Sequence, residues 1–487
     1  MNMLPRLVRD TSMPLQDQLF EHLRKLISAG KLKPNSRVIA TRFLAEQIGI
    51  SRTTVLLAYE KLISEGYLET RPAVGTFVSP SPPDNLQQTT SLPPAAEMPR
   101  QASLHPALLR LPSSAHPVKR AGDIDFRRAA QDVSPSALPK IWMKEIREAF
   151  TRNPNGFLPS QLIAGIPSLR RSVSDYLAQT RGIQAAPEQV IIVAGQRQVC
   201  SLVAHLFQRA GDRVVVESPG NIDVSHFFQA RGAELVHVPV DESGLETDRL
   251  PCERVALAYV SPTRQDPIGA IMPHSRRAAL IQWARDVGAY LIEDDSGIEP
   301  HYQGIMPPPV VTIDPFGLTF YSGSLARVLG AALTLHYLVV PPEFIEPILA
   351  MKSVTDGGCS WLEQVIMADL LSRGIYDQQL RRFRKNCLER RDCLIQALQT
   401  HFGEVRLIGT EGGTQLTWLL PDYLRSARAV CEVALMHGVN IESAVSESLS
   451  PERQSYLHDR ALILSYAALS PRELQQGVEL LAKAITL

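Results

Sequence analysis

The sequence has no long apolar run: nowhere in its 487 residues does it approach the roughly 18 consecutive apolar residues that a membrane span needs. Its opening, MNMLPRLVRDTSMPLQ, lacks the apolar centre of a secretory signal, so a cytoplasmic, membrane-free protein is expected. Cysteine is scarce and scattered. Cys200, Cys252, Cys359, Cys387, Cys393 and Cys431 form no CxxC pair and have no nearby histidine set. Neither a zinc site nor a disulfide framework is signalled, and the six read as reduced, mostly buried apolar residues. No fixed-period repeat suggests a solenoid. Net charge is also absent, with 50 Lys+Arg against 50 Asp+Glu, but the balance is uneven along the chain. Residues 1–79 carry 11 basic against 7 acidic side chains, leaving 39 against 43 for the rest. A mildly basic head on a mildly acidic body fits nucleic-acid binding at one end.

What is present is an ordinary soluble composition, 45% apolar and 21% charged, at a length that calls for two or three packed units. Residues 80–117 are rich in Pro, Ser, Thr and Gln and read as a semi-stiff linker. The expected domains are therefore 1–79, the linker 80–117, and 118–487. Beyond the linker, apolar runs (QVIIVA, RVVVES, ELVHVPV, VALAYVSP, YLIEDD) alternate with helix-like stretches, the pattern of a mostly parallel sheet covered on both faces. From about 346 the pattern becomes more helical, predicting a large α/β part followed by a smaller α+β part.

In the head, Leu15, Leu19, Leu23, Leu26 and Ile27 recur at helical spacing and Gly30 follows as a stop. A second helix, TRFLAEQIG, ends at Gly49, and Ser51 caps a third, whose Val55, Leu56, Leu62 and Ile63 are expected to face the first two. YLETRPAVGTFVS supplies two short strands about a turn. This is a winged helix-turn-helix, mainly α with a β wing. Arg52, Thr53 and Thr54, after the Ser51 cap, stand where a recognition helix enters the major groove of double-stranded DNA. Arg42, Arg71 and Thr76 are placed to meet phosphates, and Lys61 is a further candidate. Through PLQDQL, LAEQIGISRTTV, AYEKLISEGYLE and GTFV, residues 14–79 resemble the GntR family of operator-binding regulators. VIATR at 38–42 departs from the usual Leu-Pro-Ser-Ser-Arg, although Arg42 remains.

The body resembles the MocR subfamily, in which such a head is fused to a fold-type I pyridoxal-phosphate-dependent aminotransferase-like domain. The landmarks are GIPSLRRSVSDYLAQTRGI at 165–183, VIIVAGQRQ at 190–198, GDRVVVESPG at 211–220, AYVSPTRQDPIG at 258–269, LIEDD at 291–295 and FYSGSLARVLGAAL at 320–333. The resemblance implies that Gly195, Gln196 and Arg197 form a phosphate-gripping turn at a helix start, that Asp294 pairs with the ring nitrogen, and that Ser324 offers the phosphate a hydroxyl. It also implies a loss: Arg327 stands where the family has the lysine that forms the Schiff base, and a guanidinium is a poor amine nucleophile. Further departures are Thr334 for a phosphate-facing Arg, Ser296 and Asn221 for two Tyr, and Ile463 for the Arg that binds the substrate carboxylate, with Arg460 a possible substitute.

Three readings of the pocket follow. In one, it binds pyridoxal phosphate or another small anionic metabolite non-covalently, with Arg327 as a clamp. In the second, Arg327, Asp294 and Asp295 form a structural ion-pair network in a domain kept for homodimerisation. In the third, the body remains a pyridoxal-phosphate-dependent enzyme using a distant lysine such as Lys352. The expectation is a regulator with no catalytic residue and no metal site. Residues 380–392, LRRFRKNCLERRD, read as a solvated helix face with internal ion pairs.

Overall fold

The computed structural model describes residues 7–8, 13–72, 74–83, 123–127, 138–152, 162–325, 328–329, 333–444 and 456–486. It divides the chain into two compact units, residues 1–103 and 104–487.

The first unit packs α1 (Leu15–Ser28), α2 (Thr41–Ile48) and α3 (Arg52–Ser64) beside a hairpin of β1 (Leu68–Arg71) and β2 (Gly75–Val78). Its core is Leu19, Phe20, Leu23 and Ile27 from α1, Leu44 and Ala45 from α2, and Val55, Ala58, Tyr59 and Leu62 from α3, closed by Tyr67, Leu68 and Val78. Gly49 ends α2 with a left-handed φ of 69°, and nothing lies within 4 Å of where its Cβ would be. The backbone sign, not crowding, selects glycine there. One expectation fails. Leu56 and Ile63 are exposed, 44% and 36%, and the inward stripe of α3 is completed by Ala58 and Tyr59 instead.

The second unit opens with β3 (Ile124–Asp125), α4 (Leu138–Arg152) and α5 (Pro167–Arg181), then β4 (Val190–Val193), α6 (Gln196–Phe207), β5 (Arg213–Ser218) and α7 (Ile222–Ala230). It continues with β6 (Glu234–Asp241), β7 (Gly244–Leu245), β8 (Leu257–Val260), α8 (His274–Val287), β9 (Tyr290–Asp294), α9 (Val310–Ile313), β10 (Thr319–Ser324) and β11 (His336–Val339). Eight strands form one sheet in the order β4-β11-β10-β9-β8-β5-β6-β7. It is parallel from β10 to β6, while β11 runs antiparallel to both neighbours and β7 to β6. The apolar strands serve two faces at period two. Val214, Val216, Leu257 and Tyr259 join the cluster that contains Val199 and Val203 of α6, and Val215, Ala258 and Val260 join that of Leu280 and Ala284 of α8.

A second layer holds α10 (Ile345–Thr355), α11 (Trp361–Ser372), α12 (Ile375–Phe402), β12 (Arg406–Ile408), β13 (Gln415–Leu419), α13 (Ala427–Met436), β14 (Val439–Asn440), β15 (Glu442–Ser443), α14 (Leu457–Arg460), β16 (Ala461–Ser465) and α15 (Pro471–Thr486). Its antiparallel sheet has the order β12-β13-β16-β15, and β14 pairs in parallel with β3. The body's earliest strand is thus stitched to its late subdomain, so large and small parts are not separated by one cut in the sequence. The expected solvated face of 380–392 is present, with Arg381, Arg382, Lys385, Glu389 and Asp392 exposed and Lys385 paired with Glu389, but the run has a second, tethering side. Arg384, Arg390 and Arg391 of α12 donate to the carbonyls of Glu299, Ala467 and Thr410, tying α12 to distant loops. All six cysteines are free, but only Cys200 and Cys387 are fully buried, and Cys252 is exposed. Among the described residues no helix is long and apolar enough to cross a membrane.

Candidate nucleic-acid interface and cofactor-like cleft

In the head, the start of α3 is fixed by its cap: the Ser51 hydroxyl accepts the Thr54 N–H at 3.1 Å, and the two hydroxyls lie 2.8 Å apart. Thr54 is therefore engaged within the helix, while Arg52 and Thr53 are exposed at its first turn. Arg42 is 82% exposed, 3.6 Å from Glu46 one turn on. Lys61 has partners within the head. It pairs with Asp17 of α1 at 2.9 Å and lies 4.6 Å over the Phe20 ring, which fastens α3 to α1. Arg71 is likewise held, bonded to Glu69 and Asn35 and stacked 4.5 Å over Phe77. Thr76 sits half-buried in β2.

In the body, β4, β9 and β10 bring their C-terminal ends together. Asp294 closes β9 in register with Ser322 of β10, and the Ser322 hydroxyl donates to Gln196 Oε1 at 2.7 Å, at the first turn of α6. Ser324 follows, buried, at the end of β10. Gly195 precedes α6 with a φ of 127°, open to a glycine and strained for other residues. The Gln196 amide nitrogen is buried and, among the described residues, has no partner. The Arg197 side chain is 73% exposed and pairs with Asp223 of α7. Only its backbone belongs to the turn. Arg327 lies outside the described residues.

Asp294 accepts from the Tyr259 hydroxyl and, at 2.9 Å, from the Ser296 N–H. Burial raises its carboxyl above the usual range, and among the described residues no cation pairs with it. Asp295, one residue on, faces a different neighbourhood. It pairs with buried Arg181 at 2.7 Å and accepts from the Tyr321 hydroxyl at 2.9 Å. The two adjacent carboxylates thus divide, one facing the site and one holding the fold.

Asp294 lines a cavity of about 150 Å³ together with Asn221, Ser261, Arg264, Gln265, Asp266, Ser296, Gly297, Thr414 and Gln415. Asn221 and Ser296, read as departures from tyrosine, both stand on this wall, and Asn221 also caps α7 by accepting the Val224 N–H. Arg264 is the only basic residue among these, with its guanidinium donating to the carbonyls of Gln415 and Gly409. Behind the wall, Glu217 accepts from the Ser261 N–H at 3.1 Å, the Ser261 hydroxyl at 2.6 Å and Gln265 Nε2 at 3.1 Å. Burial pushes its carboxyl up to about 7. Sequence reading missed Glu217, Tyr259, Arg181 and Arg264. The available signal was a carboxylate closing the otherwise apolar run RVVVES.

The expected substitutes for lost side chains are elsewhere. Thr334 is exposed, and Ile463 is buried among Val240, Ile268 and Leu419. Arg460 donates to the carbonyls of Leu420, Pro421 and Leu424, in a separate cleft. Lys352 is sealed against Asp356 at 2.8 Å, with Cys359 Sγ at 3.8 Å. No cluster of metal-ligating side chains occurs among the described residues.

The gntR family model of bacterial regulatory proteins matches residues 15–78, and the model of aminotransferase class I and II matches residues 130–481. Similar proteins include the probable rhizopine catabolism regulatory protein MocR of Rhizobium meliloti, 30% identical over 98% of this chain and 94% of that one. The HTH-type pyridoxine biosynthesis transcriptional regulator PdxR of Corynebacterium glutamicum is 32% identical over 80% of this chain and 79% of its own. Among solved structures, the multiple substrate aminotransferase of Thermococcus profundus matches with a TM-score of 0.69 at 22% identity, covering 79% of this chain and 97% of that one. That likeness shows the fold. A DNA-binding winged head followed by an aminotransferase-like body defines a class, the transcriptional regulators built on a borrowed enzyme fold. The chain belongs to the MocR subfamily of the GntR family.

Proposed function

We propose that this regulator binds paired operator half-sites as a cytoplasmic homodimer formed through its bodies, and that the body senses pyridoxal phosphate, or a related anionic metabolite, without a covalent bond. Asp294 carries the proposal. A buried carboxylate at the end of a sheet strand, held by a hydroxyl and an N–H and raised by burial, suits a protonated ring nitrogen. The first turn of α6, with Gly195, the Gln196 amide and buried Ser324 beside it, suits a phosphate. The PdxR relative is named as a pyridoxine biosynthesis regulator, which agrees with a ligand of this kind.

Pyridoxal phosphate, when bound by an enzyme, supplies an electron-accepting ring and an aldehyde that reacts with a lysine amine. Here the lysine's place in the sequence is taken by Arg327, and Lys352 is committed to Asp356. The body therefore binds and orients, and Arg327 is assigned the role of a charged clamp. On the DNA side, Arg52 and Thr53 read bases, Ser51 and Thr54 fix the helix start, and Arg42 and Thr76 meet phosphate.

The test is an absorbance titration of the full chain with pyridoxal phosphate, followed by borohydride reduction and mass analysis, beside Arg327→Lys. Saturable binding that borohydride does not trap, with trapping at position 327 in the variant, is the expected result. A trapped adduct on another lysine of the unaltered cleft restores the enzyme reading. Absence of binding to both forms removes pyridoxal phosphate as the ligand.

A further inference from the structure

The recognition helix carries apolar side chains where a charged groove-binding surface would be expected. On α3 the buried stripe is Val55, Ala58, Tyr59 and Leu62, so at 3.6 residues per turn the opposite face is Thr53, Leu56, Leu57 and Glu60. Leu56 is 44% and Leu57 45% exposed, one turn beyond Arg52 and Thr53 respectively. The head's own core leaves them uncovered: it closes over the other face of α3, and Tyr59 there donates to the Ile39 carbonyl at 2.9 Å. Two large apolar side chains on the outward face of a short helix cost solubility unless an apolar partner covers them. The partner that a major groove offers is the C5-methyl of thymine, the one apolar group on its base edges.

We propose that Leu56 and Leu57 are specificity-determining residues that pack on thymine methyl groups, adjoining the bases met by Arg52 and Thr53. The placement fits the geometry of the helix. Leu57 lies four residues after Thr53 and Leu56 four after Arg52, so each pair stacks along the same edge of α3. Glu60, exposed one turn further, bounds the apolar surface, because its carboxylate disfavours close approach to phosphate. The operator half-site should therefore carry thymines beside the base read by Arg52.

This inference rests on α3 being the helix that reads DNA, and the test separates the two. An operator is first selected in vitro from random duplexes with the full chain, and each thymine in it is then replaced singly by deoxyuridine, which removes only the methyl. Binding by the unaltered protein should weaken about three- to fivefold at one or two positions, the worth of one buried methyl group. In Leu56→Ala or Leu57→Ala, whose exposed side chains leave the core intact by circular dichroism, that position should become indifferent to the exchange. A flat uracil scan in the unaltered protein, or a scan that Leu56→Ala and Leu57→Ala leave unchanged, overturns the inference. If Arg52→Ala and Thr53→Ala also leave sequence preference unaltered, the assignment of α3 as the reading helix falls with it.

Discussion

Asp294 and Asp295 are neighbours in sequence with the same charge, yet the structure gives their amides opposite consequences. Asp295→Asn removes the counter-charge of Arg181, whose side chain is 4% exposed and otherwise bonds the Thr263 hydroxyl at 3.1 Å and Tyr321. Breaking a buried ion pair from one side costs about 3–5 kcal/mol, because a desolvated charge is left behind. Asp294→Asn removes a charge that burial already disfavours and that no cation among the described residues balances. Its amide oxygen still accepts the Ser296 N–H, and the Tyr259 hydroxyl turns to accept from the amide nitrogen. Stability at pH 7.5 should stay level or rise by about 1 kcal/mol.

The assay is urea unfolding followed by tryptophan fluorescence. Trp142, Trp283, Trp361 and Trp418 all lie in the body, so the head is silent in this signal. A double variant, Arg181→Met with Asp295→Asn, should be less damaged than Asp295→Asn alone, since it removes the stranded charge. Binding reverses the ranking: Asp294→Asn should weaken pyridoxal phosphate at least about tenfold by losing a charge-assisted bond. The division of labour between the two carboxylates is refuted if Asp294→Asn unfolds the body while Asp295→Asn is tolerated.

Glu217 is raised to about 7 by burial, so between its ordinary 4.5 and 7 the unfolded chain binds fewer protons than the folded one. Stability from this group is intact below about 4.5 and is lost as pH climbs to 7; Glu217→Gln should flatten that fall and gain up to about 3 kcal/mol at pH 8, measured by the same urea curves. Glu293, raised by burial and by the charge of Asp295, keeps a residual slope of the same sign in that variant. Ser51→Ala, which removes the cap on α3, should cost the head about 1 kcal/mol in thermal unfolding followed by circular dichroism. Arg52→Ala should cost about 1–3 kcal/mol on the selected operator and relax its specificity. Lys61→Ala should leave the salt dependence of DNA binding unchanged, because Asp17 already holds that ammonium.

The architecture was legible because each element advertises itself locally. The β-strands of the large sheet are continuous apolar runs, and Gly49 and Ser51 punctuate α2 and α3. Leu56 and Ile63 misled because apolarity was equated with burial, and the orientation of a helix is settled by its whole stripe, here Ala58 and Tyr59. The bonds of Lys61 to Asp17 and of Arg71 to Asn35 join residues 44 and 36 positions apart. Such pairings leave no trace in spacing. The same reason hid Arg181, whose carboxylate is 114 residues on, and the pairing of Ile124 with Val439.

The positions read as departures from an enzyme only partly overlap those that shape the cleft. Of these, Asn221 and Ser296 are on the wall, whereas Thr334 is on the surface and Ile463 in the small sheet. The bonds that hold the walls span the two subdomains instead. Arg264 donates to Gln415, Gln415 to the Pro267 carbonyl at 2.8 Å, and Thr417 to the Ile268 carbonyl at 2.8 Å. A ligand between Asp294 on the large sheet and Thr414 on the small subdomain therefore touches both sides of a joint that these three bonds already define. A molecule that fits one setting of the joint better than another biases it by that difference in affinity and by nothing else. On the proposed reading, in which the cleft has no lysine nucleophile, a bound ligand is not consumed and so reports its own concentration.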